Sequence, residues 1–370
     1  MNEDKATRYH RLRRRASLLG TATAATFLIL LLVTGWSASL RDLAASLAGP
    51  SFGLTVTGYV VLVALLGEAI QLPLAFYQGV TLERRYELST QTTGRWWLDR
   101  LKAGGLALLF AVAAALLVST LLRWNPEFWW LAAALCFASL LVLLAQLAPV
   151  LLLPLFYTFT PLERPALARR LVDLTERAGA RVLGVFEWRL GDRTRKANAA
   201  LTGIGRTRRI LLSDTLLAEH SDDEIEVVLA HELAHHVHHD IWKAMALEAV
   251  LMTLGFYLAD RLLGAAVGHV GLAAKSDVAA LPLLVLAGGA VSLALLPLAN
   301  AVSRVHERRA DRYALELTGN AAAFASAMKR LGAQNLAEER PSRLVEILFY
   351  SHPPIAARLE AARAWEAHRS

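Results

Sequence analysis

Residues 221–240 read Ser-Asp-Asp-Glu-Ile-Glu-Val-Val-Leu-Ala-His-Glu-Leu-Ala-His-His-Val-His-His-Asp, and an apolar run over 241–263 follows directly. Ser221 and Glu224 have the spacing of a capping box, in which each side chain satisfies a free N–H group at a helix start. The pattern predicts a helix from there through Asp240, continuing straight into the apolar run. On that helix His231 and His235 are four residues apart and share a face. Two imidazoles so placed can hold one tetrahedral metal ion. Glu232, beside the first of them, can take the proton of an attacking water as general base. His235 and His239 repeat the spacing without a Glu in second position. His236, His238 and His239 read as a solvated, basic end at a membrane surface.

The apolar run has company. Residues of the AVILMFWYC set make up 55% of the 370-residue chain and charged residues 19%, against about 45–50% apolar in soluble domains even with Gly counted. This excludes disorder and argues against an ordinary soluble enzyme. A bilayer-crossing helix needs about 20 apolar residues. Six stretches qualify: 17–40, 58–80, 101–122, 128–157, 241–263 and 279–301. The first is too long for a cleaved signal peptide and five more follow, so it reads as an anchor. The fourth is long, and Pro149 and Pro154 are expected to kink it. Glu68 and Gln71, inside the second, are groups that lipid penalises and are expected to face a cavity or another helix. The fifth carries Glu248.

Lys and Arg cluster before the first span (Lys5, Arg8, Arg11, Arg13, Arg14, Arg15), after the second (Arg84, Arg85, Arg95, Arg100, Lys102), across 158–240 and beyond Arg304. The loops between these clusters carry little beyond Arg41, Arg123 and Lys275. That alternation places both termini and 158–240 on the cytoplasmic side and requires an even number of spans. The net charge of +7 therefore reports membrane orientation and not a nucleic-acid-binding face. The single cysteine, Cys136, excludes an internal disulfide and any multi-cysteine metal site; within its apolar run it reads as a small buried side chain.

Four segments follow: 1–157 with four spans, 158–240, 241–301 with two spans, and 302–370. In 158–240, Thr160 and Glu163 have capping-box spacing with Pro161 at the first helical position. Leu167, Leu171 and Leu174 recur at helical spacing up to Gly179. Short strands are expected over 182–190, 197–202 and 210–212. In 302–370, helices are expected over 303–317, closed by Gly319, over 321–331, and over 355–367 after Ser351-His-Pro-Pro354. A catalytic zinc takes a third protein ligand. His306, Glu307 and Asp311 are the candidates; the competing reading of their helix is a salt-bridged surface among Arg304, Arg308, Arg309 and Arg312. No internal repeat is visible at 20–50 residues, which tells against a transporter.

The chain resembles the integral-membrane CAAX prenyl proteases, the Ste-type zinc metalloendopeptidases. The resemblance rests on APVLLLPLFYTFTPLE at 148–163, KANAALTGIGRTRRILLSDTLL at 196–217, HELAH at 231–235, ERRAD at 307–311 and HPPIAAR at 352–358, in that order. It implies one zinc per chain held by His231, His235 and Glu307, with Glu232 as base and Asp311 orienting the first histidine. It implies that Asn198 binds substrate backbone along an edge strand, and that His352 and Arg358 bind substrate or stabilise the oxyanion. Read alone, Asn198 is equally a turn former, His352 a helix-start cap and Arg358 a surface charge. The implied fold is mainly α: a polytopic helical membrane protein with a cytoplasmic zincin-like α+β metalloprotease domain split by the last two spans. Eukaryotic members have seven spans around a chamber, against six here. The implied substrate is a peptide or protein, membrane-associated or lipidated, cut at the cytoplasmic face. The Ala/Leu/Arg-rich composition suggests a bacterial inner membrane, where a quality-control protease with the same chemistry is the alternative. A non-catalytic membrane transporter or scaffold is the alternative of another class.

Overall fold

A computed structural model of the chain describes residues 4–203, 208–269 and 272–369. Four long helices come first: α1 (Lys5–Val33), α3 (Phe52–Phe76), α5 (Thr93–Trp124) and α6 (Trp129–Leu147). Between them lie α2 (Trp36–Ala48) and the single turn α4 (Glu83–Arg85). Further on, α10 (Asp240–Ala266) and α11 (Leu281–Thr318) are also long, and six helical stretches among the described residues are long and apolar enough to cross a membrane. The first predicted span, 17–40, is divided: the chain turns at Thr34 and at Gly35 (φ 76°), and α2 starts at Trp36. Beyond Leu147 the fourth leaves regular α-geometry, with a wide turn at Ala148–Leu152 and a tight one at Leu153–Leu155, at the two prolines.

The two polar residues singled out in the second span find partners on other helices. Arg100 of α5 donates to both Glu68 oxygens at 2.7 Å, and Gln71 donates to the Gly20 carbonyl at 2.9 Å. Near the other end of the bundle, buried Asp260 accepts from Trp129 Nε1 and from Lys275, each at 2.7 Å. Cys136 departs from expectation: it is exposed on α6, because Ala133 and Ala134 occupy the face turned to the bundle.

The remaining elements build a compact α+β unit. A four-stranded sheet has the order β1-β2-β4-β3, from β1 (Phe159–Pro161), β2 (Val185–Trp188), β3 (Ala199–Thr202) and β4 (Arg209–Ser213). β2 and β4 run parallel; the outer strands pair antiparallel. α7 (Pro165–Arg177), α8 (Asp214–Glu219) and α9 (Asp222–Val237) precede the fifth span. After the sixth come α12 (Ala321–Gln334), α13 (Arg343–Phe349) and α14 (Ile355–Ala367). Thr160 and Pro161 belong to β1, so their predicted capping box does not form; the helix starts at Pro165, after Arg164. Pairing of β1 with β2 claims the Thr160 backbone that a cap would need. Leu167, Leu171 and Leu174 pack with Ile210, Leu212, Ile225, Leu229, Leu233 and Phe324 in one core. This core spans both halves of the unit, which are separated in sequence by α10 and α11. Residues 204–207, within the quoted 196–217 stretch, lie outside the described residues.

Two junctions differ from the reading of the sequence. α9 does not run into the fifth span: His239 adopts φ 57°, in the left-handed region, and α10 begins afresh at Asp240. The sixth span and the helix of Glu307 are one 38-residue helix, α11, closed by Gly319 at φ 65°. At 1.5 Å per residue it is about 57 Å long, so its apolar first half fills a bilayer core of about 30 Å and its polar second half projects beyond.

Candidate metal centre

α9 is placed firmly. The Ser221–Glu224 capping box forms with both bonds present. Its acidic first turn suits the positive end of the helix dipole. Buried Glu224 also reaches Ser326 and Arg330 of α12, tying the start of α9 to the second half of the unit. The apolar side of α9 is sunk in the core, so His231 and His235 project toward α11.

There they meet Glu307. His231 Nε2 lies 3.2 Å from one Glu307 oxygen, and His235 Nε2 lies 3.4 Å from the other. One ligand atom from each of the three residues falls within 4.8 Å of the others. Ligands about 2.0–2.1 Å from a shared tetrahedral ion stand about 3.3 Å apart, so these separations suit one. Glu307 Oε2 is buried and has no hydrogen-bond partner among the described residues. A buried carboxylate oxygen without a hydrogen bond is costly, and a cation shared between it and the two imidazoles removes that cost. The donor set of two imidazoles and one carboxylate fits a catalytic metal.

The other two candidates on α11 lie elsewhere. Asp311 Oδ1 is 3.0 Å from His231 Nδ1, on the side of the ring away from Glu307. His306 is turned toward Asp240, 3.9 Å away. Burial lowers the pKa of His231, but the Asp311 and Glu307 carboxylates outweigh it and push it up to about 9. Half-buried Glu232 follows His231 directly on α9; its pKa is raised, first by burial.

Arg358 of α14 donates to both Asp311 oxygens, at 2.9 Å through Nε. His352 Nε2 is 3.2 Å from Glu307 Oε1 while most of its ring stays exposed, and Ser351 Oγ is 2.9 Å from its Nδ1. The loop carrying His352 is anchored: Arg304 donates to the Tyr350 carbonyl at 2.6 Å, and buried Glu338 binds both Tyr350 Oη and Arg14 of α1. Asn198 is exposed just before β3, the edge strand that packs along α9; its backbone N–H donates to Ser213 Oγ at 2.9 Å.

One group at the site was absent from the sequence reading. Asp240, buried, lies 3.1 Å from His235 Nδ1. It follows His235 by five residues, off the face of a continuous helix, and the turn at His239 is what brings it back. The break of the helix was the missing signal; only the polar His-His-Asp ahead of an apolar run hinted at it.

The model of peptidase family M48 matches residues 161–366, and the model described as CAAX prenyl protease N-terminal, five membrane helices, matches residues 2–158. The chain is 32% identical over 340 residues to the uncharacterized metalloprotease YhfN of Bacillus subtilis, covering 91% of this chain and 79% of the relative. It is 28% identical over 325 residues to CAAX prenyl protease 1 of Saccharomyces cerevisiae, covering 82% and 71%. The crystal structure of S. mikatae Ste24p superposes with a TM-score of 0.87 over 97% of this chain and 88% of that one, at 24% identity, and shares the fold.

Proposed function

Since the chain belongs to peptidase family M48 and is a membrane-embedded metalloprotease, we propose that it is a zinc endopeptidase whose ion is held by His231, His235 and Glu307. The observation that carries this reading is the meeting of the three side chains, with the buried Glu307 oxygen left for a cation. Zinc bound there supplies a Lewis acid that polarises the scissile carbonyl.

The chain's own residues supply the rest. Glu232 takes a proton from the attacking water and passes it to the leaving amine; its raised pKa makes it a better base near neutral pH. A peptide adds to the free edge of β3 in extended form, and the Asn198 amide bonds its backbone. Exposed His352, beside Glu307, faces the developing oxyanion. Arg358 holds Asp311 against His231 and lends positive charge to the same region.

The substrate is a membrane-associated or lipidated peptide segment, and the lipid bilayer surrounds the six spans. The Lys/Arg alternation supports a cytoplasmic active site. The end of α1 supports placing the N-terminus on the same side: His10 Nε2 is 2.8 Å from the Leu336 carbonyl, and Arg14 is 2.7 Å from Glu338. The Ala/Leu/Arg-rich composition supports a bacterial inner membrane. The test is quantitative proteomics of membranes carrying active or Glu232→Gln protein. Substrates accumulate or stay bound with the variant; identical proteomes and no trapped peptide overturn the reading.

A further inference from the structure

Both imidazoles of the cage are held from behind in the same way. His231 turns Nδ1 to Asp311, which Arg358 grips through both oxygens. His235 turns Nδ1 to Asp240 at 3.1 Å, and Arg309 donates to the other Asp240 oxygen. The two Nε2 atoms are thereby left facing Glu307, at 3.2 and 3.4 Å. Resting on the ligand set above, we propose that Asp240 is a positioning residue for His235: its carboxylate accepts a hydrogen bond from Nδ1–H, fixes the tautomer and commits Nε2 to the metal.

The placement of Asp240 carries a further consequence. It is the first residue of α10, a membrane-crossing helix, and it reaches His235 only because α9 ends and the backbone turns at His239. Arg309, its cation, is on α11, two residues beyond Glu307. One carboxylate thus ties the zinc helix, the fifth span and the sixth span together at the cage. The other groups facing it are Lys243 at 3.7 Å and His306 at 3.9 Å. The competing explanation is a purely structural anion at a helix start, where it suits the dipole and pairs with Arg309.

Zinc affinity separates the two. Outer carboxylates that orient a ligand histidine are worth about 10–100-fold in metal affinity. The full-length protein in detergent is titrated with zinc against a chromogenic chelator, beside the unfolding midpoint of each metal-free variant. Asp240→Ala is expected to bind zinc 10–100-fold more weakly, and isosteric Asp240→Asn, which keeps an acceptor oxygen, by an intermediate factor. Arg309→Ala breaks the ion pair but leaves the carboxylate on His235, and is expected to lose less than Asp240→Ala. Zinc affinity within twofold of wild type in Asp240→Ala, or in Asp240→Asn if the alanine variant does not fold, overturns the proposal, as does a loss no greater than that of Arg309→Ala. A wild-type protein without tight zinc binding would instead refute the ligand set itself.

Discussion

Glu232 and His231 are neighbours on α9 with opposite proposed tasks, and each makes a testable demand. Glu232→Gln is isosteric, leaves the ligands untouched and removes the proton acceptor. The variant should keep its zinc and its unfolding midpoint while peptide turnover falls by at least about 100-fold; substantial turnover at saturating peptide would remove Glu232 from the base role. His231, pushed up to about 9, keeps a proton in the metal-free protein below that pH, and zinc must displace it. Zinc affinity should therefore rise about tenfold per pH unit from about pH 7 to about pH 9 and then level off. A flat profile in chelator competition would contradict it. At this scale the sequence was informative where chemistry and spacing coincide: His231, Glu232 and His235 stand out in five residues. Which of His306, Glu307 and Asp311 faces the pair was not decidable from spacing. That depends on the rotation of α11, set by packing across the two membrane helices between them.

The elements that matter most are the capped helix α9 and the edge strand β3. Ser221 bonds the Glu224 N–H, and Glu224 in turn holds α12. Ser221→Ala should cost about 1 kcal/mol, seen as a lower unfolding midpoint, with activity per folded molecule retained. Asn198→Ala should keep zinc and midpoint but lose several-fold in kcat/KM, as expected for one neutral hydrogen bond of about 1 kcal/mol to substrate. Unchanged kinetics would return Asn198 to a turn-forming role. Helices with strong local signals were legible: the Ser221 cap, the leucines of α7, the Gly319 stop and the limits of α14 all follow from spacing. The failures were junctions. Thr160 and Glu163 match a capping pattern, yet strand pairing of β1 with β2 claims that backbone. The turn at His239 needs a non-glycine residue at positive φ, which nothing local announces, and the Asp240 carboxylate on His235 went unseen with it.

At the scale of the whole molecule, a proteolytic unit is divided by two membrane helices and closed again by its core. Phe324 and Leu315 from the last segment pack with Leu229 and Leu233 from before the fifth span. α1 carries its basic start beyond the apolar stretch to the same side, where Lys196 and Tyr9 converge on Glu83. Reporter fusions at either terminus should both read cytoplasmic; one reading outside would mean that the even number of spans is wrong. The division is also what makes the central claim open to a direct test, because the metal site exists only if residues from both sides of α10 and the apolar half of α11 assemble. The measurement is elemental zinc in purified full-length wild type and Glu307→Ala. The account predicts one zinc per chain in the wild type and near-complete loss in Glu307→Ala. Full occupancy in the variant would contradict it and move the third ligand away from Glu307.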